Sequence, residues 1–296
     1  MNKQHRDTIF VEQAEILQHE AHEGAQYTLR VHAPQIAERA EPGSFAHLQV
    51  DPNRPLRRPI SIMGTDKRNG SVDFLYKVFG EGTALLAKRK VGEKLDVMGP
   101  IGNLFQPHME RSRPLLIGGG VGIPPMIFLA ERLRAIKGAY NPFVIMGSEV
   151  PFPFHSRPSG IMVPGVPAGA IAAMPLMEDW GIASRLASLQ GYPGCFEGYV
   201  TELARHWLDA LSEEQRREVE VFSCGPHPML EAVAKLAAEY QLPCQVSMEE
   251  FMACGVGGCA GCVVEVQTDK GPAMKRVCVD GPVFDARKVF SNGSSR

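Results

Sequence analysis

Over the first hundred residues, apolar and polar positions alternate in short runs. The alternation predicts strands at 8–14, 25–32, 44–50, 71–78 and 94–98, parted by turns at Pro42-Gly43, Asn69-Gly70 and Val91-Gly92. Strands that short and frequent suit a small antiparallel barrel, because closure leaves no exposed sheet edge. Residues 98–105 read as the tight turn that closes it. From Arg113 the pattern changes. Pro114-Leu115-Leu116-Ile117 is a wholly apolar run, followed by a glycine run and an amphipathic stretch at 126–135. That stretch carries Met126, Leu129, Ala130 and Leu133 on one face. Further buried strands are expected at 143–147 and 219–223, and helices at 202–211, capped by Thr201, and at 228–238. Between them, 151–197 is broken by prolines and reads as loops with one or two short helices, not as a βαβ unit.

Length turns this succession into domains. A chain of 296 residues is long for one core and suits two or three. The expected division is a barrel at 1–108, an α/β domain at 109–245 with an irregular insertion at 151–197, and a small C-terminal domain at 246–296. A formal charge of -2 gives no basic surface for nucleic acid. No apolar run reaches the roughly 18 residues of a membrane span. Residues 1–7 lack a secretory apolar region, so the expected location is the cytoplasm, where reduced cysteines suit metal ligation.

The C-terminal segment carries the sharpest chemistry. Cys254, Cys259, Cys262 and Cys278 are spaced C-x4-C-x2-C-x15-C, and small residues alternate with the first three. Plant-type [2Fe-2S] centres use a C-x4-C-x2-C run with a distant fourth cysteine. Glycines let the loop wrap closely and adopt unusual dihedrals. A structural zinc also takes four thiolates, but usually from paired C-x2-C knuckles, and only one such spacing is present. A disulfide framework fits less well, since three thiols within nine residues are poorly placed to pair.

Four weaker tracts lie upstream. Arg58 and Ser61, with Pro59 and Ile60 between them, can hold a phosphate, or form a basic surface turn. Leu75-Tyr76-Lys77 leads into Gly82-Thr83, which precedes a helix-like run at 84–88. Thr83 would cap that helix, whose free N–H groups make an anion site or an ordinary helix start. Gly118-Gly119-Gly120-Val121-Gly122-Ile123-Pro124-Pro125 stands between a strand and a helix, the order of a nucleotide-binding unit, although prolines replace a third fingerprint glycine. Cys224-Gly225-Pro226 ends a strand where an open α/β sheet meets its ligand. Cys195 and Cys244 read as packing thiols, and His19, His22 and His32 as surface residues. No Ser-His-Asp arrangement or paired-carboxylate motif can be picked out, which suits a protein whose chemistry belongs to cofactors.

In this chain order the tracts resemble the ferredoxin-NADP reductase superfamily, a flavin barrel followed by a pyridine-nucleotide domain. The C-terminal cysteines narrow the resemblance to the electron-transfer subunits of the NAD-linked class of dihydroorotate dehydrogenase, over about 8–148 and 198–290. It implies that Arg58 and Ser61 bind FAD, with Pro59 and Ile60 shaping the strand, and that Leu75, Tyr76 and Lys77 line a second flavin contact. Gly82 and Thr83 would meet the pyrophosphate. Gly118, Gly119, Gly120, Gly122, Cys224, Gly225 and Pro226 would border the nicotinamide, and the four cysteines would ligate [2Fe-2S]. An FMN-containing catalytic subunit, in a heterotetramer of two of each chain, would supply electrons from dihydroorotate for NAD+ in pyrimidine biosynthesis. The alternatives are a related reductase subunit of a hydrogenase, sulfite reductase or ferredoxin:NADP oxidoreductase complex, or a non-enzymatic flavin or iron–sulfur regulator.

Overall fold

The computed structural model describes residues 8–51, 53, 54 and 56–290. The reading of residues 1–7 as lacking a leader lies outside them. Strands β1 (Phe10–His22), β2 (Gln26–His32), β3 (Phe45–Gln49), β4 (Arg58–Asp66), β5 (Ser71–Lys77) and β6 (Lys94–Ile101) close a barrel in the order β1-β2-β5-β4-β3-β6. Alternation puts Ala14, Ile16, Leu29, Val31, Leu48, Ile62, Phe74 and Val97 inside it, all within 1% of complete burial. Closure is possible because β1 is long enough to pair with β6 through its first half and β2 through its second. β4 was absent from the expected strands. Its opening Arg58-Pro59 hides the alternation that Ile60 and Ile62 carry. Short helices α1 (Pro34–Arg39) and α2 (Glu81–Leu86) fill the connections.

The α/β part begins with β7 (Arg113–Gly119), α3 (Ile123–Ala135) and β8 (Phe143–Gly147), followed by a two-stranded piece, β9 (Arg157–Pro158) and β10 (Ala172–Ala173), and by α4 (Pro175–Asp179). Next come β11 (Ala183–Ala187), α5 (Val200–Ala210), α6 (Glu213–Arg217), β12 (Val219–Cys224), α7 (His227–Glu239) and β13 (Cys244–Ser247). Here two expectations are corrected. The stretch 151–197 is not only loops and short helices, because β11 pairs in parallel with β8 and extends the main sheet. Its Ser184 and Arg185 are buried with their own hydrogen-bond partners, so the strand carries no apolar signature. Thr201 is not the cap of α5. Tyr199 holds that position, and its N–H donates to the Glu202 carboxylate at 2.7 Å.

The chain then forms a hairpin, β14 (Val263–Thr268) with β15 (Gly271–Arg276), and ends in β16 (Val283–Asp285) and α8 (Ala286–Val289). Two compact units result: Met1–Leu104 with Met248–Val283, and Phe105–Ser247 with Phe284–Arg296. The chain changes unit after Leu104, after Ser247 and again after Val283. The cysteine-bearing segment, however, compacts with the barrel instead of standing alone. Asn103 at the barrel's end makes that join, donating from its backbone N–H to Gly281 O at 2.6 Å and from Nδ2 to Asp280 O at 2.7 Å. No helix among the described residues is long and apolar enough to cross a membrane.

Candidate cofactor sites

In the barrel unit, Arg58 and Gly82 come together. An ideal Cβ at position 82 would stand 2.2 Å from Arg58 Nε and 2.6 Å from its Cζ, so the guanidinium lies directly on the glycine backbone. Its Nη1 donates to Leu56 O at 2.8 Å, which leaves other donors for an anion at the start of α2. Thr83 is not the cap expected of it. The helix starts earlier, with Gly80 as N-cap, and the Thr83 hydroxyl accepts from the Phe79 and Gly80 N–H groups at 2.9 and 3.3 Å. It therefore shapes the turn that presents the helix N-terminus.

Gly82→Ala is a clean test of this contact, since alanine suits a helix and the obstructing atoms are the free end of a flexible side chain. If this helix start holds the phosphates of FAD, as the resemblance implies, a folded protein is expected that binds FAD about ten- to a hundredfold more weakly, the worth of one or two charge-assisted hydrogen bonds. Flavin titration of the apoprotein measures it.

Ile62 on β4 pairs with Phe74 on β5, both inside the barrel, so the neighbouring Ser61 and Leu75 face outward. Pro59 is exposed and Ile60 buried, as a strand with one face in the core requires. Lys77 is exposed at the end of β5. Tyr76 is turned inward. Its ring stacks on Tyr27 at 5.4 Å, and its hydroxyl meets His19 Nε2 at 2.8 Å. Burial pushes that hydroxyl's pKa up, aided by Tyr27, so it stays protonated. His19 is thus half-buried and engaged, not a surface residue; its other ring nitrogen meets Arg89 O.

The same unit holds the four cysteines, in two pairs. Cys262 and Cys278 lie at the foot of the β14–β15 hairpin, whose register sets Val263 opposite Arg276. That hairpin accounts for the x15 gap, and it brings the two sulfurs to 3.4 Å in a buried position. Cys254 and Cys259 sit at the surface on a loop with positive φ at Gly255 (68°), Gly257 (79°) and Ala260 (52°). The loop turns backbone N–H groups toward sulfur: Cys259 N–H onto Cys254 Sγ and Gly261 N–H onto Cys259 Sγ, each at 3.4 Å. Burial alone would raise the Cys254 thiol, but the N–H groups of Val256, Cys259 and Gly258 outweigh it and bring it down to about 7. Cys278 is pushed up to about 12, first by burial and then by its hydrogen bond with Cys262.

Among the described residues, no three metal-binding side chains converge on one point. The two-pair arrangement fits a binuclear cluster, in which each iron takes two protein ligands. N–H groups aimed at a thiolate are what such a cluster requires of its loop. Arg276 and Asp280, which the motif did not point to, brace this loop. Arg276 Nη1 donates to Gly257 O at 3.1 Å, while its own N–H donates to Asp280 at 2.8 Å.

The second unit orders its sheet β11-β8-β7-β12-β13-β16. From β7 the chain proceeds outward through β8 on one side and through β12 on the other, so the order reverses between β7 and β12. A ligand crevice forms at the carboxyl ends of strands at such a switch point. Both glycine tracts are there, with Ile117 opposite Ser223 and Gly118 opposite Cys224. They are pressed together: a Cβ on Gly122 would lie 2.2 Å from Cys224 O, and one on Gly119 or Gly225 would strike the Met229 side chain. Pro226, exposed, leads into α7. Cys244 lies buried on β13, in keeping with a packing thiol.

A barrel with a cation-lined helix start, a four-cysteine segment packed with it, and an α/β crevice define a flavin- and iron–sulfur-type oxidoreductase. Comparison with known proteins agrees. The oxidoreductase FAD-binding domain family matches residues 13–105, and the iron–sulfur cluster binding domain of dihydroorotate dehydrogenase B matches 249–290. The dihydroorotate dehydrogenase B (NAD(+)) electron transfer subunit of Caldanaerobacter subterraneus subsp. tengcongensis is 34% identical over 250 residues, 84% of this chain and 87% of that one. Its namesake in Desulforamulus reducens is 32% identical over 265 residues, 89% and 92% of the two chains. The chain belongs to this family of electron transfer subunits. Among solved structures, that of an NADH-dependent reduced ferredoxin-NADP oxidoreductase matches with a TM-score of 0.72 at 25% identity, over 94% of this chain and 90% of that one. The ferredoxin reductase in carbazole 1,9a-dioxygenase shares the fold, with a TM-score of 0.60 at 21% identity over 79% and 67%.

Proposed function

We propose that this chain carries electrons from a catalytic partner that oxidises dihydroorotate to NAD+, serving pyrimidine biosynthesis in the cytoplasm. The observation that carries the reading is the packing of the four-cysteine segment with the barrel in one compact unit, which would set a one-electron centre and a flavin site in one body. FAD is suited to the junction because it accepts two electrons singly and gives them up together as one hydride. Arg58 and the start of α2 would hold its phosphates, and Cys254, Cys259, Cys262 and Cys278 would hold [2Fe-2S]. Around the surface thiol pair, Phe251 is 90% and Val256 51% exposed, an apolar rim suited to a docking partner. The partner would be an FMN-containing subunit, assembled as two copies of each chain. The crevice of the second unit, with its two glycine tracts, would receive the nicotinamide.

Anaerobic purification with the native partner, followed by iron and flavin analysis and a dihydroorotate-to-NAD+ assay, tests the reading. About two irons and one FAD per chain are expected, with NAD+ reduced only when the partner is present. Zinc in place of iron would defeat the cluster assignment. Reduction of ferredoxin, or coupling to a hydrogenase, without dihydroorotate oxidation would replace the partner.

A further inference from the structure

The barrel sends one polar ring toward the cysteine loop. On β3, Ala46 and Leu48 point into the core, so His47 points outward from the barrel wall. There it should meet solvent, yet it is completely buried. What covers it includes the cysteine loop. An ideal Cβ on Gly255 would stand 2.9 Å from His47 Cε1, 3.0 Å from Nδ1 and 3.2 Å from Cγ, so the ring edge lies against the residue that follows Cys254. Position 255 is thus held to glycine twice, by this approach and by its φ of 68°.

Both ring nitrogens are shut off from solvent, and neither has a hydrogen-bond partner among the described residues. Phe45, 5.8 Å away between ring centroids, and the strand partners Pro59 and Met98 offer packing. Leucine or methionine would fill such a place without the cost of buried, unpaired polar atoms. A histidine there needs a polar partner, and the loop it touches is the one that would carry the sulfurs of the cluster.

We infer that His47 is a positioning residue for the iron–sulfur cluster: it seats the Cys254–Cys259 loop on the barrel and donates its ring N–H to the cluster's sulfur framework. The inference rests on the [2Fe-2S] assignment and adds to it a group from the flavin barrel that tunes the cluster. A donor to sulfur favours the more negative, reduced state and so raises the reduction potential. Burial, with a smaller contribution from Arg57, lowers the ring's pKa to about 4, which suits a neutral donor with a single N–H.

The test uses the full chain, reconstituted with iron and sulfide. Iron content and the visible spectrum of the unaltered protein come first; if no cluster forms there, the assignment itself fails and this inference with it. With the cluster present, redox titration of His47→Leu is expected to give a more negative potential at unchanged iron content, and His47→Gln, which keeps an N–H, a potential nearer the original. A potential in His47→Leu equal to that of the unaltered protein overturns the inference. Should the leucine variant fail to hold iron, pulsed EPR of the reduced, unaltered protein labelled with 15N-histidine decides instead. A weak imidazole nitrogen coupling that disappears in His47→Gln supports the contact, and its absence from the unaltered protein refutes it.

Discussion

Replacing Cys262 with serine is expected to strip the protein of its iron while leaving its flavin in place. Cys262 is only 2% exposed, and its sulfur lies 3.4 Å from that of Cys278, a close-packed place where the substituted side chain has little room to move. Serine keeps the shape but offers a hard oxygen with a much higher pKa to a site built for soft thiolates. The backbone should hold, because Cys262 O still accepts from Val277 N–H and the β14–β15 register is untouched. Arg58 and Gly82, proposed to hold the flavin, belong to other elements. Iron is therefore expected to fall from about two per chain to near zero, with loss of the cluster's visible absorbance, FAD near one per chain, and no electron transfer from the partner. Cys195→Ser, at a half-buried cysteine outside the motif, serves as the control and should keep all three. Iron retained in Cys262→Ser would mean that the buried pair is not a ligand pair.

The residues that were legible in the sequence are those whose type is dictated locally. Cysteine spacing announces a cluster because the ligands must come from one loop and one hairpin, and glycine runs announce a crevice because backbone must approach backbone. Position within an element was less visible. Thr83 and Thr201 look like caps, yet Gly80 and Tyr199 take those positions because the turn geometry begins earlier. β11 was hidden because Ser184 and Arg185 are buried by hydrogen bonds, and sequence periodicity counts only apolar burial. His47 was hidden for a related reason. It interrupts the apolar strand Phe45–Gln49 on the face that looks solvent-bound until Gly255, distant in sequence, is folded onto it. Arg276 and Asp280 brace the loop from outside the C-x4-C-x2-C run, where no spacing rule reaches.

Gly122→Ala should damage the second unit's crevice more than any other single methyl group placed in the glycine loop. Gly122 has φ -86° and ψ -3°, an allowed conformation that does not demand glycine, so conformational strain is not the main obstacle. Space is. The added Cβ would stand 2.2 Å from Cys224 O, 2.3 Å from its carbonyl carbon and 2.5 Å from Gly225 N, all backbone atoms of the adjoining strand end. A flexible side chain would move aside, as Arg58 can for Gly82, but a strand end fixed by the parallel ladder at Ser223 and Cys224 cannot. The β7 and β12 termini must part, costing about 1–3 kcal/mol or more in overpacking, which corresponds to a drop of roughly 2–10 °C in the unit's melting temperature. If the crevice receives the nicotinamide, reduction of FAD by NADH should slow at least tenfold, while iron and flavin contents stay normal. Gly120→Asn gives the contrast. Nothing lies within 4 Å of a Cβ there, and asparagine tolerates the φ of 53° better than other side chains. It should leave the melting temperature within a few degrees of the original, since only mild strain is added. Equal damage from both variants would show that the loop's conformation, and not its contact with Cys224, sets the crevice.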